Sequence, residues 1–225
     1  TYNPEVMLES DVNFPLIYLL MFIYATLALL MNVYRIVVSG NNSIAALTGT
    51  FNIDGTPAFD GTDDYIGGPG TQYTTGRSWT ADMVISPSNV GDTSWNAIFG
   101  GGLGNGGYFM FHGGGQLTYY EGVIAGSTKI KYFGKYLGTH FPQDTYKHLT
   151  VRYNGNSTYD IFINNDKSSY SYTFGSSYSM QMSSVGGAGG RYGSVQIPVF
   201  KFYDVGLTDQ EIEQNYLSYK SRFSL

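Results

Sequence analysis

His148-Leu-Thr-Val-Arg-Tyr-Asn-Gly-Asn-Ser-Thr-Tyr-Asp-Ile-Phe-Ile163 is the stretch that decides the fold. Leu149, Val151 and Tyr153 fall on one face of an extended chain, Asn154-Gly155 is a strong hairpin-turn dipeptide, and Tyr159-Asp-Ile-Phe-Ile163 supplies the returning strand. Working outward, the same period of two recurs in Trp79-Thr-Ala-Asp-Met-Val-Ile85, where Trp79, Ala81, Met83 and Ile85 share a face and Pro87 ends the run. Further candidate strands are Ala97–Phe99, Tyr108–Phe111, Gln116–Tyr120, Ser171–Phe174 and Val195–Tyr203, each bounded by Gly, Ser or Asn. Many short strands with turn signals between them indicate two packed antiparallel sheets. One helix is expected after the last strand. Thr208 and Glu211 form a capping box, and Ile212, Tyr216 and Tyr219 follow at helical spacing to cover one end of the sandwich.

Composition agrees with an all-β class. Among 225 residues there are 30 glycines and 21 tyrosines, and only 13% are charged. The net charge is −5 and the basic residues are scattered singly, which excludes the clustered cationic face that nucleic-acid binding needs. Cysteine is absent, so disulfides, thiolate metal sites and a cysteine nucleophile are excluded.

Taken in order, Phe59-Asp-Gly-Thr-Asp-Asp-Tyr-Ile66, Trp79–Ile85, Tyr146–Tyr153 with Asp160–Asn164, Gly186-Gly187 and Val199–Ile212 closely resemble the laminin G-like or concanavalin A-like jelly-roll modules of lectins, glucanases, adhesion proteins, phage tail proteins and large DNA virus proteins. The resemblance covers about residues 45–225 and implies a two-sheet antiparallel jelly-roll sandwich with a short C-terminal helix. Tyr146 stands where the modules usually carry Trp, and Asn164-Asn165-Asp166 replaces their Asn-Gly turn; aromatic size and turn propensity are kept.

Glycosidases of this superfamily carry acidic residues alternating on one strand, because acid and nucleophile must reach the same groove. No such pattern occurs: beyond the N-terminal segment the glutamates are Glu121, Glu211 and Glu213, and Asp63 and Asp64, adjacent on a strand, should point to opposite sides. His112, His140 and His148 lack metal-ligand spacing. Gly102-Leu-Gly-Asn-Gly-Gly107 precedes a strand rather than a helix and reads as a glycine hairpin, not a phosphate cradle. No catalytic residue and no cofactor is assigned. The calcium candidates are Asp60 and Asp63, with Asp54 and Asp92 as further oxygen donors. Tyr119, Tyr120, Tyr170, Tyr172 and Tyr192 are the candidates for stacking on sugars or filling a protein interface, half of them being expected in the core.

Ahead of the sandwich, no charge occurs between Val12 and Tyr34, and the run is apolar on every helical face, with Phe14, Leu19, Phe22, Leu27 and Leu30 as anchor residues. A membrane span is the reading; a buried core helix or the centre of a filament subunit are the alternatives. The resulting plan is a polar tail at 1–12, a transmembrane helix at 13–38, a linker or first strand at 39–50 and the sandwich at 51–225. It implies a non-enzymatic, membrane-anchored structural or adhesion module, such as a minor virion protein joining capsid to membrane, located in a virion or cell envelope. Its partners would be a lipid bilayer, neighbouring structural proteins and glycans. The alternatives are a lectin-like protein and a glycosidase with an unrecognised site. Asn41-Asn42-Ser43 and Asn156-Ser157-Thr158 match the glycosylation acceptor pattern.

Overall fold

The structure, a computed structural model, describes residues 57–91, 95–101 and 107–225, together with the backbone of three short strands before them. All lie in one compact unit, Arg35–Leu225. In chain order the strands are β1 (Ile36–Val38), β2 (Leu47–Thr48), β3 (Thr50–Phe51), β4 (Pro57–Asp60), β5 (Tyr65–Thr74), β6 (Trp79–Pro87), β7 (Asn96–Gly100), β8 (Tyr108–His112) and β9 (Gln116–Ile124). They continue with β10 (Ser127–Tyr136), β11 (Lys147–Tyr153), β12 (Thr158–Ile163), β13 (Asp166–Ser171), β14 (Tyr178–Val185), β15 (Gly187–Ala188), β16 (Arg191–Tyr192) and β17 (Ser194–Tyr203). The helix α1 (Asp209–Phe223) closes the chain.

Sheet I runs β13-β12-β11-β6-β17-β4-β3, and sheet II runs β10-β9-β8-β7-β14-β5-β2. Both are antiparallel along these paths, and β1 adds a parallel strand beside β17. Alternation dictates what lies between them. Trp79, Ala81, Met83 and Ile85 of β6 and Leu149, Val151 and Tyr153 of β11 are fully buried, as their period of two requires. Across the gap Trp79 meets Phe109 at 6.1 Å, Phe200 of β17 meets Phe99 at 5.6 Å and Tyr159 of β12 meets Tyr119 at 5.7 Å. Pro198 is accommodated within β17 because the ladder to β6 slips between Gln196 and Val199, where no N–H is demanded.

Several expectations need correction. Ile36–Val38, the end of the segment read as a membrane helix, is a strand, consistent with three β-branched residues alongside Phe200–Phe202. The rest of that segment, 13–35, with Phe14, Leu19, Phe22, Leu27 and Leu30, lies outside the described residues, as do Asn41–Ser43, Asp54, Asp92 and Gly102–Gly106. No helix among the described residues is long and apolar enough to cross a membrane. Asn154-Gly155 is not a two-residue turn: Tyr153 pairs with Tyr159, so the loop is longer. The two-residue turn is instead Asn164-Asn165, both at positive φ (49° and 69°) between the paired Ile163 and Asp166. Ser171–Phe174 is extended only at Ser171, the strand lying before it at β13.

The outward side chains of sheet I include Thr80, Asp82, His148, Thr150 and Arg152, and α1 seats on this face instead of on an end of the sandwich. Ile212 packs with Phe162 and Leu207, while Tyr216 and Tyr219 approach His148 at 5.8 and 5.7 Å. Beneath them Asp82 Oδ2 lies 2.8 Å from His148 Nε2 and accepts the Thr150 hydroxyl at 2.9 Å. Thr208 caps α1 through the expected reciprocal bonds with Glu211. Arg152 of β11 latches the helix start, pairing with Asp160 at 2.6 Å and Asp209 at 2.7 Å.

This latch makes stability acid-sensitive. Burial alone would raise the Asp160 carboxyl, but hydrogen bonds from Asn154, Ser169 and Arg152 and the guanidinium charge hold it below its ordinary 3.8. Asp209 is held low in the same way by Lys167 and Arg152, against a burial effect that raises it. A carboxylate depressed in the folded state stabilises fully above its unfolded pKa and loses that contribution as pH falls through the folded one. The urea midpoint should therefore drop as pH passes below 3.8. Asp160→Asn should start lower, by about 3 kcal/mol at neutral pH, and fall less steeply; parallel pH profiles for the two proteins would refute the assignment.

Candidate functional site

Of the five tyrosines singled out in the sequence, Tyr192 lines a cleft among the described residues. Tyr119 is fully buried between the sheets, 5.7 Å from Tyr159, because it shares the core face of β9 with Leu117. Burial, reinforced by Glu121, Tyr172 and Tyr153, pushes its phenol far above the usual range. Tyr120 faces away from the core and packs on Tyr108 and Trp95. Tyr170 stands edge-on to Phe133 under the Lys131 ammonium. Tyr172 donates to Glu121 Oε2 at 3.0 Å. Glu121 is itself fully buried and accepts from the backbone of Gly175 and Ser176 as well, so it staples a loop and is unsuited to act as a general acid.

Tyr192 belongs to a small ribbon, β15–β16, inserted before β17. Ala188 pairs with Arg191, leaving Gly189-Gly190 as a two-residue turn with φ of +57° and +71°, conformations that glycine adopts without strain. At its base Gly186 donates to Ile98 O at 2.7 Å and lies flat on Phe59, where a Cβ would come within 2.2 Å of the ring. The ribbon is thereby pressed onto the sandwich. On one side it forms a cleft of about 260 Å³ with Tyr65 of β5 and Ser183 and Ser184 of β14, the two tyrosine rings lying 6.4 Å apart. Both serine hydroxyls donate to Gly100 O, which fixes them and leaves their lone pairs as acceptors.

On the other side is an arrangement that the sequence did not suggest. Trp95, with a φ of 61° unusual for a bulky residue, has the Arg191 guanidinium 4.4 Å from its ring centroid and the His112 imidazole 4.2 Å away. Trp95 and Tyr120 rest on a buried cluster of Ala97, Tyr108, Met110 and Ala188 on the outward face of sheet II. Burial raises the Tyr108 phenol, and the nearby Arg191 charge partly offsets that. Burial and then the Arg191 charge lower the proton affinity of His112. Glycine pairs flanking Arg191-Tyr192 were the available signal for the ribbon; nothing in the residue pattern marks Trp95 as its partner.

Asp60, Asp63 and Asp64 do converge, with one ligand atom from each within 4.8 Å of the others. Asp63 and Asp64 are not on a strand: the chain bends between β4 and β5, with Gly61 at φ +85°, so the alternation that would separate them does not apply. Asp60 Oδ1 accepts from Thr62 N at 2.7 Å, and Asp64 Oδ2 from Asp60 N at 3.3 Å. The trio offers hard oxygens of the type calcium takes, with part of its capacity already used by the turn.

No protein-family model and no curated protein matches this chain. Solved structures do. The receptor binding domain of botulinum neurotoxin mosaic serotype C/D is similar at 15% identity and a TM-score of 0.61, over 80% of this chain and 47% of that one. The botulinum neurotoxin serotype D ligand binding domain in complex with N-acetylneuraminic acid gives 14%, 0.55, 82% and 45%. The binding domain of Paraclostridial Mosquitocidal Protein 1 gives 17%, 0.55, 81% and 49%. The chain spans somewhat under half the length of these three structures, and identities this low speak for the fold alone. They support a β-sandwich of the kind found in ligand-binding domains.

Trp95 provides a direct check of the stack, since the chain has two tryptophans and Trp79 is buried in the core. In a Trp79→Phe variant, emission should fall as pH drops through a midpoint below 6.5, where His112 takes up its proton against the indole. His112→Gln should abolish the fall. Emission unchanged from about pH 7 to pH 4 would mean that the imidazole is not stacked there.

Proposed function

We propose that this sandwich is a non-catalytic glycan-binding module. The observation that carries the reading is the cleft lined by Tyr65 and Tyr192, of a size for a single sugar ring and bordered also by two positioned hydroxyls and glycine backbone. Aromatic faces suit the C–H faces of pyranoses, and fixed hydroxyls read their oxygens. Similarity to receptor-binding and ligand-binding domains, one of them solved with N-acetylneuraminic acid, supports a binding role. The convergent Asp60, Asp63 and Asp64 make calcium worth including in any assay.

A glycan array probed with the full chain, with and without calcium, should show a restricted set of bound glycans. Tyr192→Ala should weaken the best of them at least tenfold, about 1.4 kcal/mol, without changing the melting temperature by more than a few degrees. An array that stays blank under both conditions would sink the proposal.

We propose also that the uncharged run ending at Tyr34 anchors the module in a bilayer, from which it contacts neighbouring proteins of an envelope or virion. The full chain should then float with lipid vesicles in a density gradient, and Leu19→Glu with Leu27→Glu should leave it at the bottom. Flotation unaffected by the paired charges would contradict the anchor.

A further inference from the structure

We infer that the glycan recognised here carries an oxyanion, a carboxylate or a sulfate, and that Arg191 reads it. This rests on the glycan-binding reading above and names the chemical class of its ligand.

Three arginines on the sandwich show the contrast. Arg77 is paired with Asp204 at 2.9 Å, and Arg152 with Asp160 and Asp209 at 2.6 and 2.7 Å. Arg191 is exposed and has no carboxylate within 4.0 Å among the described residues, although the chain has 17 acidic side chains to 12 basic ones. It is nonetheless held. The Trp95 indole supports the guanidinium, and the two-residue turn beside it leaves the chain little backbone freedom.

Trp95 itself is a poor sugar platform, because Arg191 and His112 already pack against its ring. It acts as a positioning residue. What the arrangement presents outward is the edge of a pre-organised guanidinium, whose parallel N–H groups match the two oxygens of a carboxylate or sulfate. Ordering entropy that a free arginine would lose on binding has been lost in advance.

Arg191 and Tyr192 are consecutive on β16, so their side chains leave opposite faces of the ribbon. A neutral ring seated in the cleft beside Tyr65 and Tyr192 would extend an acidic substituent or the next sugar past the Gly189-Gly190 turn toward Arg191.

The test compares sialyllactose, a sulfated lactose and lactose itself by calorimetry on the full chain, at low and high sodium chloride. One or both acidic ligands should bind at least tenfold more tightly than lactose, with the advantage shrinking in salt. Arg191→Gln should erase the advantage, so that acidic and neutral ligands bind with similar affinity. Arg191→Lys, which keeps the charge but loses the planar fork, should retain only part of it, and melting curves establish that each variant is folded. Equal binding of acidic and neutral ligands overturns the role of Arg191 and leaves glycan binding standing. Binding of none, on this panel and on the array, overturns both.

Discussion

The architecture depends on burial of one indole. Trp79 stacks on Phe202 of its own sheet at 5.5 Å and meets Phe109 of the other at 6.1 Å, and its Nε1 donates to the Ser179 hydroxyl of sheet II at 3.0 Å. That hydroxyl in turn lies 3.2 Å from Thr74 O on β5. Apolar contact thus brings the sheets together while a hydrogen-bonded chain satisfies the one polar atom that the indole carries inside. With the inner faces committed in this way, alternation settles which side chains face outward on every strand of both sheets.

The two outward faces meet different fates. On sheet I the outward residues Thr80, Asp82, His148, Thr150 and Arg152 are buried polar groups, a costly arrangement unless partners are supplied. The C-terminal segment helps supply them. Thr80 accepts from Leu207 N and donates to Val205 O, and Arg152 reaches Asp160, Asp209 and Leu207 O. The helix is therefore integral to the sandwich, and its capping box fixes where it starts. On sheet II part of the outward face is an apolar and aromatic cluster of Ala97, Tyr108 and Met110, and a glycine-rich ribbon lies against it with Arg191 exposed.

Strands with a clean period of two, β6, β11, β12 and β17, were legible because each has one apolar core face. β5 was not legible as a strand beyond its first residues: Gly67, Gly68, Pro69 and Gly70 argue against extended pairing, and the strand exists because β14 and β2 flank it. Ser171–Phe174 has strand composition, yet the ensuing Gly175 and Ser176 N–H groups go to the Glu121 carboxylate instead of to a ladder. The site was less legible than the fold. Tyr119 was grouped with the contact candidates although it shares the core face of β9 with Leu117, while Tyr192 of the same group lines the cleft. Trp95, His112 and Arg191 come from three distant segments whose meeting is a tertiary event without a local sequence signature.

The ribbon is where fold and binding reading join. Its glycines are needed for contact with the sandwich: Gly186 for Phe59, and Gly189 for Tyr108, where a Cβ would lie 2.9 Å from the ring. The ribbon cannot lift or tilt without losing those contacts, so Tyr192 and Arg191 are carried on a support anchored to both sheets, through Ile98 of β7 at one end and β17 at the other. A binding surface placed on such a support needs little reorganisation before it meets a ligand. The same arginine chemistry serves two ends in one small domain. Enclosed by carboxylates, as at Arg152, it holds a helix to a sheet; supported on an indole with its edge open, as at Arg191, it is available to charge arriving from outside.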